Sequence, residues 1–305
     1  MRSRLIATWD RFWFRPAGPF GLIAARAIVS LNALWIVLSR PDLPGVLGWP
    51  PGFWISASRG LASRFLVLGL PLAVERALYG ILVLALVAAL FGLWPRVACL
   101  TAALLLYHFA PFADLFFWLP GPYFRGLTLP LLALLLLSFA EAPRPSAAPS
   151  PEWRWPLAAI QVCFAATYLL SGLSKLVSVG PVWATARNFE GLVLGMMFPE
   201  VTPPWAHVFV GRTWLCWLGA AAGVFMDFGV PIALFSAKAA RWILPAIFLG
   251  HLAIVPIFGI FFLALPGLLL FVDWDALVAR WRAKWAPQPT RAARSRPSPT
   301  RSPAP

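Results

Sequence analysis

Pro156-Leu-Ala-Ala-Ile-Gln161-Val-Cys-Phe-Ala-Ala-Thr-Tyr168-Leu-Leu-Ser171-Gly172-Leu-Ser-Lys175-Leu176 is an apolar stretch that carries a single charge. A transmembrane helix needs roughly 20 mostly apolar residues, and this run supplies them. Gln161, Tyr168 and Lys175 are spaced by seven, and Ser171 lies three after Tyr168 and four before Lys175. At helical spacing the four share one face. A polar stripe in a span must face the bundle interior or a cavity, since lipid offers it no hydrogen bonds. Gly172 and Ala165 are small enough to admit a neighbouring helix or a ligand on that side.

The rest of the chain extends this reading. Of 305 residues, 60% are hydrophobic and 12% charged, and the mean hydropathy is +0.78. Soluble domains carry about 25% charged residues. Disorder is excluded for the bulk of the chain, because low hydrophobicity is what keeps chains unfolded. Three cysteines in apolar runs, Cys99, Cys163 and Cys216, cannot form a disulfide framework. No Cys/His spacing fits a metal site. Seventeen Trp suit the headgroup level of a bilayer. The expected fold is all-α: a polytopic membrane bundle of about eight transmembrane helices, with interfacial helices in the outer loops.

The candidate spans are 20–39, 77–94, 97–118, 127–140, 156–179, 213–236, 241–256 and 257–274. The last two are short and meet at Pro256 and Gly259, as two spans or as one broken re-entrant pair. The first lacks a cleavage site and reads as a retained span, not a signal peptide. Net charge is +14. With eight spans, sixteen basic residues fall on the side of the termini and seven on the other, which predicts both termini in the cytoplasm. The domain plan is a basic N-terminus over 1–19, a membrane domain over 20–275 and a disordered Pro/Ser/Arg-rich tail over 276–305. Aromatic and charged residues mix in the outer segments 40–76 and 180–212, as interfacial helices require. The basic ends suit anionic lipid. Basic residues are not interleaved with aromatics on a soluble surface, so nucleic acid is not an expected partner.

A charge within a span costs at least ~2.5 kcal/mol, so each needs a reason. Lys175 reads either as a lysine snorkelling to the interface or as an amine placed to take a proton. Burial favours the neutral amine, whereas a touching carboxylate would defeat a base role. The expectation is therefore that Asp227, in the sixth span, pairs with Arg26 of the first and stays away from Lys175. His251, in the seventh, is expected to share a pocket with Gln161, Tyr168, Ser171 and Lys175.

The run from Gln161 through Tyr168, Ser171 and Gly172 to Lys175-Leu176, with Trp183 following, resembles the signature helix of the vitamin K-dependent gamma-carboxylase membrane domain, the HTTM domain. Phe14-Arg15-Pro16, Arg26, Asp227, His251 and the closing Phe261-Phe262…Phe271-Val-Asp273-Trp274 are similar in order. The resemblance covers about residues 12–275. It implies a bundle of about eight helices, a pocket for a quinone such as vitamin K hydroquinone, and Lys175 at the position of the catalytic base. The carboxylase's large β-rich lumenal domain is missing from this sequence. Three functions follow as alternatives: an enzyme acting on a membrane quinone or lipid, a non-catalytic lipid- or quinone-binding or assembly protein, and a transporter. The expected location is a bacterial inner membrane.

Overall fold

The computed structural model describes residues 2–41, 43–47, 70–115, 127–197, 203–259 and 265–285. No strand forms among them; Ala17 and Ser150 make an isolated antiparallel bridge. The helices are α1 (Arg2–Phe14), α2 (Pro19–Leu38), α3 (Leu43–Leu47), α4 (Leu72–Phe91), α5 (Pro95–Leu115), α6 (Thr128–Phe139), α7 (Arg154–Val179), α8 (Ala186–Met196), α9 (Ala206–Phe209), α10 (Thr213–Phe235), α11 (Ala237–Phe258) and α12 (Trp274–Trp285). Short 3-10 turns occupy Pro151–Trp153, Gly180–Ala184 and Leu265–Phe271.

Local chemistry sets these boundaries. Pro19 at the first position of α2 has no N–H to lose there. Gly92 closes α4 at φ +72°, a left-handed conformation that glycine adopts without a Cβ clash. Thr185 caps α8 by accepting from the Asn188 N–H, and Ser236 caps α11 by accepting from the Ala239 N–H. Pro231 in α10 and Pro245 and Pro256 in α11 are tolerated inside packed spans.

Five helices, α2, α4, α7, α10 and α11, are long and apolar enough to cross a membrane, and the segment Pro95–Phe109 within α5 and helix α6 are shorter apolar helices. Their outward residues are apolar: Leu84 is 70% exposed and Val177 86%. On a soluble protein such a surface would aggregate; in lipid it is the natural exterior. One core joins α2, α4, α5 and α6 around Leu82, Leu86, Leu106 and Leu134. A second joins α7, α10, α11 and the 265–271 turn around Phe164, Val230 and Ile247.

α1, α12 and the N-terminal ends of α2 and α7 share one face of the bundle. There Asp275 Oδ1 accepts from the Phe20 N–H at 2.9 Å, Arg154 Nε donates to the Phe12 carbonyl at 3.0 Å, and Phe12 stacks beside Phe235 at the end of α10. α11 starts at this face and ends at the far one, where the Trp205 N–H bonds to the Pro256 carbonyl.

Two expectations need correction. The eighth span, 257–274, is not one α-helix over its described residues: α11 ends at Phe258 and Leu265–Phe271 is a seven-residue 3-10 helix, while 260–264 lie outside the described residues. The turn is buried against α2, α7 and α11, with Leu268 and Leu270 in the core. The tail does not begin at 276, because α12 runs to Trp285; residues 286–305 lie outside the described residues. Of the two outer segments, 180–212 holds α8 and α9 as short helices, whereas most of 40–76, including Trp49, Phe53 and Trp54, is outside the described residues. So are Phe261 and Phe262.

Candidate functional site

α7 and α10 approach closely because Gly172 leaves room. A Cβ there would lie 2.9 Å from the Asp227 Cβ and from the edge of the Phe228 ring. One turn farther along α7, Lys175 Nζ donates to Asp227 Oδ2 at 2.6 Å. The Lys175 side chain is 45% exposed and that of Asp227 only 8%. The ammonium also sits 5.2 Å from the centre of the Trp183 ring, a cation–π contact. Two turns back along α7, the Tyr168 hydroxyl and His251 Nε2 of α11 share a hydrogen bond of 2.8 Å.

Both pairs open onto one cavity of about 530 Å³ bounded by α7, α8, α10 and α11. Ser171 also lines it, and Asn188, whose amide donates to the Trp183 carbonyl, lies at the α8 wall. The rest is apolar, with small residues on α10 (Gly219, Ala220, Ala222, Gly223) widening it. The outer edge of the Phe189 ring of α8 packs against Gly219. The chamber falls in the range of small-molecule pockets, roughly 300–1,000 Å³, and combines apolar walls with a few polar groups.

Two expected arrangements do not occur. Asp227 is held by Lys175, not by Arg26, because Gly172 lets α10 come within reach of the lysine. An amine in contact with a carboxylate forms an ion pair and is not a free base. Gln161 does not line the chamber. Its amide donates to the Leu270 carbonyl at 2.7 Å, and its oxygen accepts from Arg154 Nη1 at 3.3 Å. The side chain thus serves a carbonyl of the buried 265–271 turn.

Other polar groups escaped the sequence reading. Glu75, fully buried near the start of α4, meets His108 Nε2 of α5 at 2.8 Å. Glu75 precedes the expected 77–94 span and so looked like a loop residue; its apolar flanks, Leu72 to Val74 and Ala77 onward, were the available signal. Arg154 was counted as a loop cation yet is buried. Asn188, and the cation–π contact of Trp183 with Lys175, became visible only through the turn at Gly180–Ala184. No group of His, Cys, Asp and Glu among the described residues could hold a metal ion.

Five apolar helices of membrane-crossing length point to an integral membrane protein. No family model, curated protein or solved structure matches the chain.

Proposed function

We propose that this protein binds an uncharged lipophilic molecule bearing oxygen acceptors, of the quinone or neutral-lipid type, between α7, α8, α10 and α11. The observation that carries the reading is the pairing of the chamber's polar groups. Lys175 and Asp227 cancel, so the site has no net charge to draw in an ion. An ammonium has three donors, and Asp227 takes one. The others, on a half-exposed side chain, can meet a ligand oxygen, and Tyr168 with His251 offers a second polar point. The apolar remainder suits a hydrocarbon tail. The motif resemblance to the carboxylase membrane domain supports a quinone in particular.

Catalysis is the second reading, favoured by the amine's exposure to the chamber. For Lys175 to accept a proton, Asp227 must first release it, as a ligand wedged between them could bring about. A transporter has no observation of its own in its favour. The proposed setting is a bacterial inner membrane with both termini cytoplasmic, in keeping with the sixteen-to-seven charge split.

The test is mass spectrometry of lipophiles extracted from the protein purified in mild detergent. Wild type should carry a neutral oxygen-bearing lipophile. Gly223→Phe, which projects a ring into the chamber, should lose it, and Tyr168→Phe should retain less. Lys175→Arg should keep the ligand but abolish any quinone turnover, because guanidinium does not give up its proton. Equal retention in wild type and Gly223→Phe would reject the site.

A further inference from the structure

Lys175 and Arg154 have their partners; Arg26 has no hydrogen bond or ion pair among the described residues. It lies seven residues past Pro19, about 10 Å along α2 from the helix start at ~1.5 Å per residue. Its Nε is buried without a hydrogen-bond partner. No carboxylate reaches the guanidinium among the described residues. The head group extends to the C-terminal end of α4, where a Cβ on Gly92 would lie 2.7 Å from Nη2. Glycine is thus required at 92 twice, for its φ of +72° and for the space the guanidinium fills. Arg96, the neighbouring cation of α5, is engaged with the Ala140 carbonyl and Glu141.

The depth of this group is set by its surroundings. The α4–α5 turn exposes Leu93 and Trp94, the latter 83% exposed, as residues at a bilayer interface do. The turn belongs to the face that carries α1 and α12, since α2 begins there. The guanidinium is thereby held at the boundary between acyl chains and headgroups. The partial negative charge at the end of α4 favours a cation there, but a helix terminus is a partial charge and leaves the guanidinium's donors open. An unpartnered cation at this depth calls for an anion from outside the chain.

We propose that Arg26 is the seat for the phosphate of an anionic phospholipid, bound in the crevice between α2 and the α4–α5 turn on the face of the termini. A guanidinium fork matches two phosphate oxygens, and the lipid's acyl chains would lie along the apolar outer surface of α4 and α5. This seat is separate from the chamber, which opens toward the other end of α7.

The experiment measures the thermal midpoint of the full chain in mild detergent at about 0.5 M salt, which screens attraction to the exposed surface cations. Phosphatidylglycerol, diacylglycerol with the same chains, and inorganic phosphate are added separately. Phosphatidylglycerol should raise the wild-type midpoint, and the other two should not. Arg26→Gln should abolish the shift. Arg26→Lys, which keeps the charge and the fold but loses the fork, should need roughly tenfold more lipid for the same shift. The proposal is overturned if Arg26→Lys responds like wild type or if diacylglycerol stabilises equally well. A shift produced by inorganic phosphate alone also overturns it, because the seat would then take a free ion.

Discussion

Lys175 and Asp227 are unequal partners. The carboxylate is nearly enclosed, while the amine faces the chamber. Breaking a fully buried ion pair costs about 3–5 kcal/mol, and the exposure of Lys175 places this pair below that range. The two single substitutions should therefore differ. Lys175→Met strands a buried carboxylate and should lower the unfolding midpoint more than Asp227→Asn, which leaves an amine in contact with the chamber. The double variant Lys175→Met, Asp227→Leu should recover most of the loss. A double-mutant cycle in one detergent measures all three, and equal single losses would show that the two groups are equally desolvated. The seven-residue spacing made the chamber wall of α7 legible at Tyr168, Ser171 and Lys175. It could not reveal the lysine's partner. Which acid lies opposite depends on how closely α10 approaches, and that is decided by the absence of a side chain at Gly172.

At the level of the element, α7 serves two neighbours with one stripe. Its far half faces the chamber, and its near half, at Gln161, faces the 265–271 turn. Non-helical backbone at membrane depth is tolerated only where protein satisfies its polar groups. Gln161 does this for Leu270. Gly267 lies against the Phe164 ring, so the turn can approach α7 closely. Gln161→Leu removes the donor and leaves both the Leu270 carbonyl and Arg154 Nη1 short of a partner. A loss of about 1–3 kcal/mol is expected, measured as a lower midpoint with ligand retention unchanged. Loss of the bound lipophile in this variant would mean that the turn shapes the chamber after all. Gln161 was misread because its partner is a main-chain carbonyl, and no side-chain pattern announces one. The same blindness explains the eighth span. Residues 257–274 are apolar enough to suggest an α-helix, but Leu265–Phe271, packed against α2 and α7, forms a tighter 3-10 segment.

For the molecule as a whole, composition carried the class and left the count open. Apolar runs located α2, α7, α10 and α11 closely, since a span's length is fixed by the bilayer. The 3-10 segment Leu265–Phe271 was not legible, because a short buried 3-10 helix has no length rule. α1 packs on the start of α7 and α12 on the start of α2, an arrangement in keeping with both ends on one side of the membrane. Cysteines at Pro145 and Gly195, in a background lacking Cys99, Cys163 and Cys216, should be labelled from opposite sides by an impermeant maleimide; labelling from one side would refute the arrangement. The contact that brings the ends together also has a place in time. The Phe20 N–H waits for a carboxylate 255 residues later in the chain. During synthesis the first span must enter the bilayer with its leading turn uncapped. It gains its cap only after the intervening residues up to Asp275 have been made. Asp275 is thus a latch that closes after the spans before it, and a chain released ahead of it would hold those spans with the first one unfastened.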